Sequence, residues 1–209
     1  MSKPKIILIG AGGHSHACID VLEQQDKYQI AGLVGTPDEM HVCHLGYNVI
    51  AIDEDLPRLV AEYQHAHIAV GQLASAGTRR RLYQQVAALG FQLPVLISPH
   101  AYVSAHACIG PGTIVMHGAI INAGANVGDN SIINTRSLVE HDAVVGDHCH
   151  ISTGAIVNGG VNIGMGSFVG SGSAIKEGIS LGEGCVVGMG LSVRHDQANH
   201  TRYLGDKKI

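Results

Sequence analysis

From Val103 to Val193 every sixth residue is aliphatic. The sixteen positions (Val103, Ile109, Val115, Ile121, Val127, Ile133, Val139, Val145, Ile151, Val157, Ile163, Val169, Ile175, Leu181, Val187 and Val193) keep one unbroken register. Two residues before each runs a second, mostly small row, from Ala101 and Ala107 to Cys185 and Leu191. A third signal has a period of eighteen: Gly110, Gly128, Gly146, Gly164 and Gly182 each follow an aliphatic position. A chain that repeats every six residues and closes every eighteen makes three short strands per coil. The pattern predicts a hexapeptide β-helix of triangular section. Each strand needs one branched side chain turned inward, and each corner needs a small residue or glycine to bend tightly. Coils about 4.8 Å apart pair their backbones with the coils above and below, so the prism is roughly 25 Å tall. Each coil touches only its neighbours.

The residues before this repeat read differently. Lys5–Ile9 (KIILI) is a continuous apolar run, the pattern of a buried parallel strand. Gly10-Ala11-Gly12-Gly13-His14 follows, then a helical pattern through Ala17, Ile19, Val21 and Leu22. Further strands are expected at 28–34, 48–52, 67–71 and 93–97, with a loop over 35–47 and helices over 54–64 and 75–89. Gly90 ends the last helix, and Pro99 marks a boundary. This alternation predicts a small doubly wound parallel sheet, and two domains over residues 1–98 and 99–209.

The glycine loop after the first strand lets a backbone approach a phosphate, and the next helix offers it free N–H groups. The dinucleotide fingerprint is partial: Gly10 and Gly12 fit, but Ser15 stands at the third glycine position. Val34-Gly35-Thr36 ends the second strand without the acidic residue that a ribose contact needs. NAD is therefore not expected. A nucleotide diphosphate without nicotinamide stays open, as does a tight turn with no ligand.

A net charge of −4, with no basic stripe in the repeat, argues against nucleic acid. The five cysteines form no CxxC pair, and Cys149 and Cys185 fall in the small row, as core residues would. That usage suits a reducing cytoplasm. No apolar run approaches the ~20 residues that cross a bilayer, and the N-terminus is too glycine-broken for a signal peptide, so no membrane insertion is expected.

Within the repeat His141 stands out, in Val139-Glu140-His141-Asp142 at a corner whose equivalents one coil away are Ala123 and Gly159. Small neighbours leave room beside the imidazole. A carboxylate beside it holds one tautomer and raises its basicity, which suits a general base. A solvated corner histidine is the alternative. No histidine pair five residues apart lies in the repeat, and no two histidines there are 36 apart, so the zinc pattern of γ-type carbonic anhydrases is missing and no metal is expected.

Gly10-Ala11-Gly12-Gly13-His14, Ala69-Val70-Gly71 with its following arginines, Ile109-Gly110-Pro111-Gly112-Thr113, Ile133-Asn134-Thr135, Val139-Glu140-His141-Asp142 and His150 together resemble one family. It is the group of bacterial sialic acid O-acetyltransferases and bacillosamine or perosamine N-acetyltransferases, and the likeness covers nearly the whole chain. The resemblance implies an α/β Rossmann-like domain followed by an all-β left-handed parallel β-helix, three chains packed as a homotrimer, and acetyl-CoA between two prisms. It implies a nucleotide-linked sugar at Gly12, Gly13, His14, Gly35, Thr36, Gly71 and Asn134. It implies His141 as general base with Asp142 raising its basicity, and CoA contacts at His150, Gly159, Ser171 and Met189. The implied reaction is acetylation of the 4-amino group of a nucleotide-linked 4-amino-4,6-dideoxyhexose, of the GDP-perosamine or UDP-bacillosamine-precursor type, without a metal. O-acetylation of a sugar and a non-catalytic trimeric nucleotide-binding scaffold are the competing expectations. The usual Gly-x-Pro-Ala-Lys ending is replaced by Gly205-Asp206-Lys207-Lys208, and Arg194, Arg202, Lys207 and Lys208 are expected near the CoA phosphates.

Overall fold

The computed structural model describes residues 3–205. Strand β1 (Lys5–Ile9) is flanked in parallel by β2 (Gln29–Gly35) and, on its other side, by β5 (His65–Ile68). Outside β2 lies β4 (Tyr47–Ile52), again parallel, and β3 (Cys43–His44) closes that edge as an antiparallel hairpin. The order is β3-β4-β2-β1-β5. Ile6, Ile7, Leu8 and Ile9 are all fully buried, because β1 is covered on both faces. Ile7 and Ile9 pack toward α2 (Leu56–Leu59) and α3 (Gly77–Ala88). Ile6 and Leu8 pack toward α1 (Gly13–Gln25). Leu96, Ile114, Met116 and Ile132 from the repeat join that second cluster, so an outer face of the prism serves as one layer of the domain.

Several boundaries differ from the sequence expectation. The helix expected over 54–64 is a 3-10 turn at Asp53–Asp55 and the single turn α2, because Leu56 and Leu59 bury within one turn and β5 starts at His65. β5 also stops at Ile68. The carbonyls of Ile68 and Val70 are instead taken by the guanidinium of Arg79, which is buried and also donates to Asn130 O at 3.0 Å. The 35–47 loop contains a 3-10 turn, Pro37–Glu39, and β3. The strand expected over 93–97 is only β6 (Leu96–Ile97), and it pairs with Ile114–Val115 of the prism, not with the N-terminal sheet. Pro94 has no N–H to give to a ladder, and Ile97 stands six residues before Val103. The hexad register therefore starts one step earlier than the sequence suggested.

The prism itself follows the repeat. Sixteen two-residue strands, from Tyr102–Val103 to Ser192–Val193, each end on one of the sixteen aliphatic positions. With β6 and Arg202–Tyr203 they form parallel sheets of six, five and seven strands. Ile121 pairs with Val139 and Ile151 with Val169, eighteen residues on. The last coil is shorter, since Tyr203 pairs with Val187 after sixteen residues. Inside, the aliphatic and small rows form one core.

A polar thread runs along this core. Thr113, Ser131 and Ser167 donate to the carbonyls of Gly128, Gly146 and Gly182, fifteen residues on. Cys149 does the same toward Gly164 at 3.3 Å. Each thread residue also accepts a backbone N–H from the coil above, as Ser131 Oγ does from Cys149 N. Burial pushes the Cys149 thiol up to about 12, so it is an inert core donor. Besides the Arg79 bond, further side-chain contacts pin the N-terminal domain to the prism. Asp20 of α1 meets His117 Nε2 at 2.8 Å, and Tyr83 of α3 donates to Asp129 Oδ2 at 2.9 Å. Among the described residues no helix is long and apolar enough to cross a membrane.

The eighteen-residue glycine column is explained by close stacking. A Cβ on Gly164 would lie 2.5 Å from Glu183 N, and one on Gly146 would lie 2.8 Å from Met165 N. Both clash with the next coil's backbone, which cannot yield. Gly172 is different: its φ is +66°, and a Cβ there would meet nothing within 4 Å. Gly172→Ala is expected to cost about 1 kcal/mol, from left-handed backbone alone. Gly164→Ala is expected to cost several times more, read as the fall in thermal midpoint of each variant.

Candidate active site

The N-terminal sheet reverses its strand order at β1, between β2 and β5. Open α/β sheets bind ligands in the crevice at such a switch point. A cleft of about 930 Å³ lies there, over the ends of β1, β2 and β5. The glycine loop forms its floor, and the three glycines differ. Gly10 has φ +112°, and a Cβ on it would strike Val70 Cγ2 at 2.6 Å, so the fold itself requires it. A Cβ on Gly12 or Gly13 would meet no protein atom within 4 Å. Nothing in the protein's packing demands glycine at these two positions, and the space at the start of α1 is open. The first turn of α1 has no acidic residue and no side-chain cap, and although Ser15 N donates to Gly12 O at 2.9 Å, the N–H groups of Gly13 and His14 are open to an anion.

Gly12, Gly13, His14, Gly35, Thr36 and Gly71, all expected at the sugar nucleotide, line this one cleft. Burial, with the nearby Arg79 charge, pushes His14 down to about 3, and its Nε2 has no protein partner. It is a neutral imidazole at the cleft. His150, expected as a CoA contact, is only 5% exposed and lines the same cleft. Its Nδ1 donates to Gln72 O at 2.6 Å, and its Nε2 accepts from Asn134 Nδ2 at 3.0 Å. Burial pushes His150 down to about 4, consistent with that single tautomer. Asn134 is thus joined to the cleft through His150 and does not line it.

Sequence reasoning missed a carboxylate. It found no acidic residue at the end of β2, yet Glu39 folds back to that place through the Pro37–Glu39 turn. Glu39 Oε2 accepts from Thr36 N at 2.8 Å and Thr36 Oγ1 at 2.9 Å, and these bonds hold its carboxyl below the usual range. It lines the cleft, as do Asp53 and Arg81. Thr-x-x-Glu just after a strand is a capping-box pattern, and that was the available signal.

His141 and Asp142 lie elsewhere, at the corner between the strands Leu138–Val139 and Val144–Val145. His141 Nδ1 meets Asp142 Oδ2 at 2.9 Å, and its side chain is 67% exposed. The hydrogen bond to Asp142 raises the His141 pKa above its ordinary value. With Nδ1–H donated to the carboxylate, Nε2 carries the free lone pair. Two glycines accommodate the dyad. A Cβ on Gly159, one coil above, would lie 2.7 Å from His141 Nε2, and one on Gly124, one coil below Asp142, would lie within 2.4 Å of Asp142 Oδ1. Asp142 also holds φ +59°. Its position in the hexad recurs with left-handed backbone from Gly112 to Gly190, glycine at ten of fourteen corners and Asn130, Arg136, Asp142 and His148 at the other four. A side chain kept where glycine is the rule marks a site where strain is tolerated for a purpose.

Gly159 therefore sits with the dyad. Ser171 and Met189 do not: they follow the strands Phe168–Val169 and Val186–Val187, at another corner. Ser171 Oγ meets Ser152 Oγ at 2.9 Å, and Met189 is 77% exposed. The cleft adjoins the seven-stranded sheet through His150, whereas the dyad lies at the corner between the other two sheets. In a triangular prism that corner is opposite, so one chain holds its cleft and its dyad apart.

Comparison with known proteins bears on family and fold. The family model of the PglD N-terminal domain matches residues 5–86, and that of the hexapeptide repeat of succinyl-transferase matches residues 160–194. No curated protein sequence matches. Among solved structures, the acetyltransferase domain of PglB from Neisseria gonorrhoeae, in complex with acetyl coenzyme A, is 33% identical, with a TM-score of 0.87 and 95% of each chain covered. A variant of perosamine N-acetyltransferase from Caulobacter crescentus, in complex with CoA and GDP-perosamine, is 31% identical with a TM-score of 0.88, over 95% of this chain and 92% of that one. WeeI from Acinetobacter baumannii, 23% identical with a TM-score of 0.83 over 93% and 94% of the chains, shares the fold. With two such likenesses over nearly its whole length, a Rossmann-like cleft and a hexapeptide prism, the chain belongs to the bacterial nucleotide-sugar acetyltransferases of the left-handed β-helix type.

Proposed function

We propose that this chain is an acetyl-CoA-dependent N-acetyltransferase acting on the 4-amino group of a nucleotide-linked 4-amino-4,6-dideoxyhexose, for surface glycan synthesis. The observation that carries this is the pairing of an exposed His141–Asp142 dyad with a switch-point cleft, in a chain that matches structures holding CoA and GDP-perosamine over 95% of its length. The N-terminal domain holds the sugar nucleotide, with His150 of the prism completing its cleft, and the prism, which starts at Leu96 and not at residue 99, holds acetyl-CoA and the dyad.

The sugar nucleotide lays its pyrophosphate on the N–H groups at Gly12 and Gly13, and Glu39 is suited to a ribose hydroxyl. His14, neutral, has an unpartnered Nε2 to offer the sugar, whereas His150, with both ring nitrogens already bonded to Gln72 and Asn134, is an uncharged wall of the cleft. The amine is nucleophilic only after losing a proton, and His141 Nε2 takes it while Asp142 steadies the imidazolium. The amine nitrogen then bonds to the thioester carbonyl carbon, the C–S bond breaks, and the nitrogen's second proton passes to the departing CoA thiolate, which leaves as the thiol. O-acetylation is the weaker reading, since the perosamine relative acts as an N-acetyltransferase.

Two features support a homotrimer with sites between copies. The cleft and the dyad of one chain face away from each other. The six-stranded sheet turns Tyr102, Ile120 and Ile156 outward and exposed, with Leu138 half-buried between them, an apolar strip fit to pack against a neighbour. The CoA path follows from the dyad's own corner. Asn158, Lys176 and Arg194 stand one, two and three coils above Glu140 and line a groove of about 560 Å³ with His195. Lys176 is thus roughly 10 Å up the prism from Glu140, and it joins Arg194 as the basic pair for CoA phosphates. Arg202 lies on a different sheet, and Lys207 and Lys208 fall outside the described residues. The free cysteines fit the cytoplasm.

A thiol-release assay with acetyl-CoA and UDP-, GDP- and dTDP-linked 4-amino sugars tests the reaction; no thiol release with any of them would sink it. His141→Ala should lower kcat/KM about 10² to 10⁴-fold at neutral pH, with partial recovery at high pH where the amine is already neutral. The acid limb of the wild-type profile should lie above the ordinary histidine value of about 6.5, because the base works only when deprotonated and Asp142 raises it. Asp142→Asn should move that limb to lower pH. Joint replacement of Lys176 and Arg194 by Ala should raise KM for acetyl-CoA about tenfold or more with kcat little changed, and an unchanged KM would remove them from the phosphate site.

A further inference from the structure

The far end of the cleft carries a carboxylate and a guanidinium side by side. Asp53 follows Ile52, the last residue of β4, and Ile52 pairs with Gly35 at the end of β2. Asp53 is thus two strands from the glycine loop at the end of β1, roughly 10 Å along the row of strand ends. That is too far for a pyrophosphate at Gly12 and Gly13 to touch, and it is where the attached nucleoside reaches. Arg81 Nη2 of α3 lies 3.7 Å from Asp53 Oδ2. The separation is longer than a good hydrogen bond, so each group keeps capacity for a third party. Both line the cleft. Burial raises the Asp53 carboxyl, with the Arg81 charge opposing.

A nucleobase edge with a carbonyl beside a ring N–H fits this pair, the carbonyl on Arg81 and the N–H on Asp53. Guanine offers O6 and N1–H, and uracil or thymine offers O4 and N3–H. The second carboxylate oxygen discriminates between them. In guanine the next group along the edge is the 2-amino group, a donor, so the carboxylate is engaged twice. In uracil and thymine the next group is a carbonyl, and its lone pairs face the negative oxygen. We propose that this chain takes a guanosine diphosphate sugar, with Asp53 reading N1–H and the 2-amino group and Arg81 reading O6. The assignment rests on the nucleotide-sugar reading of the cleft.

Calorimetry on the full chain with GDP, IDP, XDP and UDP tests it. IDP lacks the 2-amino group, and XDP carries a carbonyl in its place. The wild type should bind GDP about tenfold or more tighter than IDP and UDP, the loss of one charge-assisted hydrogen bond, with XDP no better than IDP. Asp53→Asn should invert the order of GDP and XDP, because its amide N–H can donate to the 2-carbonyl. Arg81→Ala should weaken GDP and UDP alike. Equal binding of GDP and IDP by the wild type overturns the base assignment without any variant, and so does a preference for UDP; in both cases the nucleotide cleft stands. Binding of none of the four overturns the nucleotide reading itself, and the base assignment with it.

Discussion

The backbone ladder between successive coils is the constraint on which the rest depends. Strands two residues long gain little from local propensity; they persist because each pairs with the coil above and the coil below at a fixed register of eighteen. That register leaves no slack. It forces glycine wherever a corner backbone passes within reach of a Cβ, as at Gly146 and Gly164, and hydroxyl or thiol wherever a corner carbonyl turns inward, as at Ser131, Cys149 and Ser167. Side chains on such a frame cannot drift, so any group placed at a corner is held at a known height and a known edge. Preorganisation of the dyad comes from this frame, with Gly124 and Gly159 supplying the space.

The N-terminal domain depends on the same frame. Its sheet buries one face on α2 and α3, but the other face is completed by α1 together with Leu96, Ile114, Met116 and Ile132. Arg79 then locks cleft to prism, holding the carbonyls of Ile68 and Val70 on one side and of Asn130 on the other. A buried guanidinium without a carboxylate is costly unless carbonyls meet it, and here they come from both units for Nε and Nη1, while Nη2 has no partner among the described residues. The Ala69–Gly71 wall of the cleft therefore owes its shape to the prism.

Much of this was legible in the residues. The hexad register named every strand from 102 to 193, because one inward residue per strand leaves a strict trace. The glycine loop was legible for the same reason: open space and helix start both demand small residues at fixed places. The rest was hidden in tertiary contacts. Leu96–Ile97 read as a strand of the first sheet, since an apolar run does not say which sheet it joins, and only the six-residue offset of Ile97 from Val103 gave the answer. Glu39 was invisible as an end-of-strand acid because it reaches Thr36 by folding back through a turn. Asp142 carried a readable sign that composition concealed, a non-glycine residue in a column that is mostly glycine.

The same side chain is put to opposite uses by its surroundings. Of the fourteen histidines, His14 and His150 are buried at the cleft beside Arg79, and burial takes them down to about 3 and about 4. Neither can hold a proton near neutral pH, so both can meet a substrate without charge. His141 is exposed, is bonded to a carboxylate and is raised. Such a group suits the proposed removal of a proton from an ammonium. An exposed base has a drawback, because bulk water competes for it. In the proposed homotrimer a second copy over this corner would exclude that water.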